Sequence, residues 1–303
     1  MATVTQGWQS FRVFLEMIKI EHSVFALPFA MIGMMWGSEA IHGHGWPGWS
    51  VFLWILLAMV SCRSAAMAYN RIADREIDAA NPRTKMRAIP AGLLSLRTAN
   101  LYFYGSIALF VLAAAMLNPL ALTLSPLALL VTLGYSLTKR FTPLCHFVLG
   151  FGLGIAPAAA WIAVTGSLDP RILLLTLTVT LWTAGFDLIY SLQDEEFDKS
   201  QGLRSMPQTI GKAKTLLLSR VCHLLCLVSL GMALSTFGLG VLAWVGFGLV
   251  AGLLFYEQSL VKPDDLSKVN LAFFTLNGFV SIGFFVFILL DKVIPLPVTV
   301  IGR

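Results

Sequence analysis

The chain has 303 residues, 57% of them hydrophobic, and only 12% are Asp, Glu, Lys or Arg, about half the charged share of a soluble domain. A mean hydropathy of +0.79 makes it an integral membrane protein and excludes a soluble globular fold. The net charge of +5 matters through its placement, because Lys and Arg in short loops set the orientation of membrane helices.

The N-terminal arm, MATVTQGWQSFRVFLEMIK, is polar and aromatic. It lacks the basic n-region, apolar h-region and small-residue cleavage site of a signal peptide, so the first span is expected to remain in the mature fold. A membrane-crossing helix needs about 20 mostly apolar residues. Nine segments meet this: residues 22–42, 50–70, 96–117, 119–138, 144–165, 170–191, 214–236, 238–258 and 270–291. Asn118-Pro119 separates the third from the fourth, and TKRFTP, with its Pro143, separates the fourth from the fifth. Gly150, Gly152 and Gly154 lie inside an apolar segment with no strand before them, so they serve close helix packing rather than a nucleotide loop. Cys62, Cys145, Cys222 and Cys226 form no CxxC pair, so neither a disulfide framework nor a zinc site is expected. Cys222, Cys226 and His223 read as helix packing. Asn270 and Asn277, in the last span, are polar enough to need partners. The Trp and Tyr residues near span ends fit an interfacial belt.

Of the 21 Lys and Arg, Arg171, Lys292 and Arg303 fall in loops after odd-numbered spans or at the C-terminus, and Arg63 and Arg220 lie within spans. The rest gather in the N-terminal arm and the loops after even-numbered spans. The positive-inside rule makes that side cytoplasmic, with the N-terminus inside and the C-terminus outside.

Two of these loops, 71–95 and 192–213, are long and resemble each other. The first has Asp74-x3-Asp78 followed by Arg87-x2-Pro90. The second has Asp194-x3-Asp198 followed by Arg204-x2-Pro207. The parallel suggests one domain, 1–303, made of two tandem four-helix units, about 22–138 and 144–258, plus a ninth helix, 270–291. Positions four apart share a helix face, so Asn70, Asp74 and Asp78 make one stripe, with Arg63 about two turns deeper. Asp187, Asp194 and Asp198 fall within about 40° of one another around a helix, flanked by Tyr190. Asp187 and Arg63, charged residues inside apolar segments, are the candidate catalytic residues, because such groups usually face a cavity and do work. Facing carboxylate stripes suit Mg²⁺, which takes oxygen ligands and is typically bound by one or two carboxylates plus substrate phosphate. Arg71, Arg75, Arg83, Lys85, Arg87, Lys139, Arg140, Lys199 and Arg204 crowd the same region, and Arg forks match phosphate oxygens. Carboxylates ringed by cations point to a metal–diphosphate.

NRIADREID and YSLQDEEFD resemble the two Asp-rich signatures of the UbiA superfamily of intramembrane prenyltransferases. The resemblance extends to NPRT…R-x-IP-x-G after the first motif, to Tyr135-x3-Lys139, and to the nine spans. It implies an all-α membrane bundle around a central cavity with a cytoplasmic polar cap. It implies Mg²⁺-dependent transfer of a polyprenyl chain from an allylic diphosphate to an aromatic acceptor such as 4-hydroxybenzoate, in quinone synthesis at the bacterial inner membrane. No nucleic-acid partner is expected. The resemblance places metal at Asn70, Asp74, Asp78, Asp194 and Asp198, and the diphosphate at Arg71, Tyr135 and Lys139. Arg87, Arg204 and Tyr190 are further substrate-binding candidates, and Asp187 lies at the reacting centre. At the first span the chain departs from the R-x-D-R-P-like stretch of many hydroxybenzoate-using members. It has MIKIEHSVFALPFA, with Lys19, Glu21 and His22, and so resembles a bacterial branch part of which is associated with futalosine-route menaquinone synthesis. A different aromatic acid therefore stays open as acceptor. Outside the family, a transporter also builds cavities with buried charge, although its charge would lie nearer the bilayer midplane. The D-G-x2-A-R-like core of a phosphatidyltransferase is not found.

Overall fold

A computed structural model describes residues 2–18 and 25–294, with side chains from Trp8 onward. Lys19, Glu21, His22 and Arg303 lie outside the described residues. Among the described residues the chain is helical and has no β-strand. The helices are α1 (Ala2–Met17), α2 (Leu27–His42), α3 (Trp49–Ala73), α4 (Arg75–Ala80), α5 (Leu96–Leu117), α6 (Pro119–Thr138), α7 (Cys145–Thr165), α8 (Leu173–Ser191), α9 (Glu195–Ser200), α10 (Met206–Ile210), α11 (Lys212–Thr236), α12 (Val241–Leu260) and α13 (Asn277–Val293). A 3₁₀ turn precedes α8, another (Leu192–Asp194) joins α8 to α9, and a π-helical turn (Leu271–Leu276) leads into α13.

Among the described residues, eight helical segments are long and apolar enough to cross a bilayer, from Trp49–Ala73 to Leu271–Val293. The protein is a multi-pass membrane protein. The first expected span corresponds to α2, whose 16 residues extend about 24 Å. That is short of the ~30 Å hydrocarbon core. The boundary at Asn118-Pro119 falls where the sequence puts it. Asn118 is extended, its Oδ1 accepts from the Ala121 N–H (2.9 Å), and Pro119 opens α6 without a donor to satisfy.

The helices sort into two compact units, residues 1–23 with 49–138 and residues 24–48 with 139–303. In the first, α3 packs on α5 and α6. The N-terminal arm, expected only as a polar and aromatic stretch, folds as α1. Its Phe14 and Met17, with Ile18 just beyond it, are buried with Ala65 and Ala68 of α3 and Ala99 and Phe103 of α5. Trp8 and Arg12 stay exposed. An apolar stripe with a polar back is the pattern of a helix lying along a membrane surface.

In the second unit, α8 is the most enclosed spanning helix and packs on α7 and α11. Lipid tails are as apolar as leucine, so close van der Waals packing must hold such helices together. Two of the expected glycines, Gly150 and Gly154, supply it, together with Gly33. A Cβ on Gly150 or Gly154 would strike the α8 backbone at Thr176 and Thr180, and one on Gly33 of α2 would strike the Pro157 backbone of α7. Asn277 finds its partners here. The π turn frees carbonyls, and Asn277 Nδ2 donates to those of Ala272 (3.1 Å) and Phe273 (3.0 Å), while its Oδ1 accepts from Trp182 Nε1 (2.7 Å). Cys222 and Cys226 lie in the core of this unit.

One contact in this unit carries a stability prediction. Asp291, buried near the end of α13, accepts from the backbone N–H groups of Gly240 (2.8 Å), Leu242 (3.0 Å) and Ala243 (3.2 Å), the opening turn of α12. Asp291→Ala strands these donors, and losing such a cap costs about 2 kcal/mol. The expected result is a lower unfolding midpoint in detergent, with transfer activity intact at low temperature. An unchanged midpoint would show that α12 does not depend on this carboxylate.

Candidate active site

In the first unit the site is built where α3 ends. Asp74 sits between α3 and α4 at φ −96°, ψ 10°, in the bridge region where many active-site residues lie. The helical ladder still passes through it, since Asp74 N–H donates to Asn70 O (2.9 Å) and Asp78 N–H to Asp74 O (2.7 Å). The Asn70–Asp74–Asp78 stripe therefore survives the break. Asn70 Nδ2 donates to Asp74 Oδ2 (3.0 Å), and Arg71 Nη1 donates to Asn70 Oδ1 (2.9 Å). Asp78 is buried, and Arg87 Nη1 donates to its Oδ1 at 2.6 Å. The NPRT segment makes that return possible. Asn81 ends α4, its Oδ1 accepts from Arg83 N–H (2.9 Å), and Thr84 Oγ1 donates to Asp78 O (3.1 Å). Tyr135 on α6 lies within electrostatic reach of Arg71, Asp74 and Arg63. The structure thus gathers Arg63, Asn70, Arg71, Asp74, Asp78, Arg87 and Tyr135 in one unit. Arg75 turns away to Glu76 (2.7 Å), and Arg83 and Lys85 are exposed.

The second unit repeats this construction. Asp194 lies between the 3₁₀ turn and α9 at φ −102°, ψ 2°, nearly the backbone of Asp74, and each aspartate leads a six-residue helix. Asp198 is fully buried and pairs with Lys139 Nζ at 2.6 Å. The Arg-x2-Pro tails then diverge. Arg87 reaches its Asp, whereas Arg204 Nη1 donates to Phe141 O (3.0 Å) and its backbone N–H to Lys139 O (2.7 Å). Arg204 thus braces the segment that carries Lys139, and Lys139 is the cation on Asp198. Gly202, at φ 66°, turns the chain so that Leu203 N–H caps Asp198 O (2.9 Å). Tyr190 stacks near Phe273, with centroids 4.1 Å apart. Arg140 and Lys199 are exposed.

Asp187 lies on α8, about 10 Å deeper than Asp194 by helical rise. Its Oδ2 is 2.7 Å from Nδ1 of His146, the second residue of α7. The sequence reading missed His146. It lies 41 residues from Asp187, so no spacing rule joins them, and only the packing of α7 on α8 does.

These residues fit Mg²⁺. Oδ2 of Asp78 and Oδ2 of Asp198 are buried and have no hydrogen-bond partner, which leaves a hard oxygen donor open in each unit. Among the described residues no three His, Cys, Asp or Glu side chains converge into a complete cage. That suits an ion whose remaining ligands come from water and substrate phosphate.

Comparison with known proteins identifies the family. The model of the UbiA prenyltransferase family matches residues 28–282. A 4-hydroxybenzoate octaprenyltransferase of Saccharophagus degradans is 32% identical over 254 residues, covering 84% of each chain. Among solved structures, the apo structure of a UbiA homolog from Aeropyrum pernix K1 superposes with a TM-score of 0.81 at 35% identity, covering 90% of this chain and 98% of that one. A UbiA homolog from Archaeoglobus fulgidus bound to DMAPP and Mg²⁺ shares the fold, with a TM-score of 0.70 at 18% identity over 93% of this chain and 99% of that one. The doubled Asp motifs, the all-helical membrane fold and these matches agree, and the chain belongs to the UbiA prenyltransferase family.

Proposed function

We propose that this prenyltransferase moves a polyprenyl chain from an allylic diphosphate to 4-hydroxybenzoate, with Mg²⁺ as cofactor. The observation that carries the reading is the pair of buried aspartates, Asp78 and Asp198, each with one oxygen paired to a cation and the other open. Asn70, Asp74 and Asp78 are the proposed Mg²⁺ ligands of the first unit, and Asp194 and Asp198 those of the second. When bound, Mg²⁺ offsets the charge that develops on the departing diphosphate. Arg71, Arg87, Tyr135 and Lys139 hold diphosphate oxygens and add to that stabilisation. Arg63 extends the positive charge two turns deeper, and Arg204 keeps Lys139 in place. As the allylic C–O bond breaks, the apolar helices keep water from the carbocation. The ring carbon beside the phenol forms the new C–C bond, and Asp187 takes the proton that leaves. Tyr190, against Phe273, offers an aromatic wall to the prenyl group or the acceptor ring.

The acceptor rests on the names of the curated relatives. The Lys19–Glu21–His22 stretch, in place of an R-x-D-R-P-like one, favours a second reading in which the acceptor is another aromatic acid. The two Asp-bearing joints, with matching backbone angles, support one domain of two tandem units. The loop charge supports a cytoplasmic N-terminus in a bacterial inner membrane.

The test is purified protein with geranyl diphosphate, a panel of aromatic acids including 4-hydroxybenzoate, and mass readout. Transfer is expected with Mg²⁺ and none in excess chelator. Full turnover in chelator would overturn the metal assignment, and transfer only to another acid would move the acceptor to the second reading.

A further inference from the structure

We propose that His146 holds Asp187 in its reacting orientation and ties that orientation to the loop that positions Lys139. The inference rests on the reading of Asp187 given above.

Three contacts in the second unit form one chain. Met206 N–H donates to His146 Nε2 at 3.4 Å. A ring nitrogen that accepts carries no proton, so the proton sits on Nδ1, and Nδ1–H donates to Asp187 Oδ2 at 2.7 Å. His146 is buried, with 5% of its side chain exposed, whereas Asp187 keeps 19%. The histidine therefore has no open face of its own, and Asp187 presents the accessible edge of the pair. With Oδ2 held, the carboxylate cannot rotate freely, and Oδ1 is fixed as the acceptor that meets an incoming proton. The division of labour is that of a catalytic triad, in which an inner group sets the tautomer and angle of the group that reacts.

The same segment reaches the diphosphate side. Residues 203–206 donate in turn to Asp198 O (Leu203 N–H, 2.9 Å), Lys139 O (Arg204 N–H, 2.7 Å) and His146 Nε2 (Met206 N–H). Lys139 in turn pairs with Asp198. A short loop thus sets the cation for the leaving group and, through His146, the orientation of the proton acceptor. Both ends of the reaction are registered to one piece of backbone. Nothing in this chain of contacts needs His146 to touch substrate, which makes it a positioning residue.

His146→Ala removes the donor to Asp187. His146→Asn restores it, because the Asn side-chain nitrogen sits where Nδ1 does along the side chain. With geranyl diphosphate and 4-hydroxybenzoate, His146→Ala is expected to slow single-turnover transfer by about 10 to 100-fold, the scale of losing a group that orients a reacting one. The KM for geranyl diphosphate should change by no more than about twofold, since the diphosphate ligands remain. His146→Asn should regain most of the rate. In an Asp187→Asn background, His146→Ala should add little, because the two act as a unit.

Asp187→Asn separates the two ideas. If it keeps the wild-type rate, the reading of Asp187 fails and this inference with it. If it is slow while His146→Ala is not, the inference alone fails. The inference also fails if His146→Ala and His146→Asn are equally slow at wild-type thermal stability, or if the loss appears in the KM for geranyl diphosphate. Should His146→Ala not fold, His146→Asn decides: turnover near wild type supports the inference, and turnover as low as that of Asp187→Asn overturns it.

Discussion

Asp74→Ala and Asp194→Ala are each expected to abolish prenyl transfer while the protein stays folded in detergent. Both aspartates lie at joints between a spanning helix and a six-residue extension, with φ −96° and −102°. Both are only partly buried, so truncation opens no core cavity. On the proposed reading, what disappears is a carboxylate oxygen that would hold the Mg²⁺ offsetting the leaving group's charge. Such stabilisation amounts to several kcal/mol, so a loss of about 10³-fold or more is expected in each variant. Asp78 and Asp198 behave differently. They are buried and paired to Arg87 and Lys139 at 2.6 Å, so truncation leaves a cation without its partner and threatens folding as well as rate. Size-exclusion profiles beside single-turnover rates make the distinction. Near-normal transfer by either Asp74→Ala or Asp194→Ala, as a well-folded protein, would remove the ion from that motif.

Much of this arrangement is legible in the sequence, because the strongest signals are local. Apolar runs give spans, and Asn118-Pro119 gives a boundary to the residue, since a capping side chain and a missing N–H act on adjacent positions. The Asp stripes are legible because helical spacing is a local rule, and here the hydrogen-bond ladder continues through the break at Asp74. What spacing cannot show is which partner a long side chain selects. The two Arg-x2-Pro tails look equivalent, yet Arg87 reaches Asp78 while Arg204 caps a backbone carbonyl and leaves Asp198 to Lys139. That choice depends on the path of the 201–206 loop past Lys139. The His146–Asp187 contact is invisible for the same reason: it needs α7 and α8 pressed together along Gly150 and Gly154. The first helix is missed because a one-sided apolar stripe of Phe14, Met17 and Ile18 gains its order from packing under α3 and α5, not from length or hydrophobicity.

Asp187→Asn separates binding from chemistry. Asp187 on α8 is seven residues, about 10 Å by helical rise, before Asp194, which lies beyond the end of that helix, too far to share an ion held there. Its partner is His146, and Oδ2 accepts from Nδ1–H at 2.7 Å. An Asn side chain keeps that bond, because its carbonyl oxygen accepts in the same place. The packing of α7 on α8 then persists, and so do Arg71, Lys139 and Tyr135, the proposed diphosphate ligands. The accessible atom changes from an anionic acceptor to an N–H donor. Such a group neither stabilises an allylic cation nor takes a proton from a ring. Transfer should therefore fall by about 10² or more, the scale of losing a placed base or electrostatic group. Affinity for Mg²⁺ and geranyl diphosphate should hold. Titration of the donor beside single-turnover rates measures both halves. If donor affinity falls in step with the rate, Asp187 serves the metal or the fold, and the proton must leave by another group.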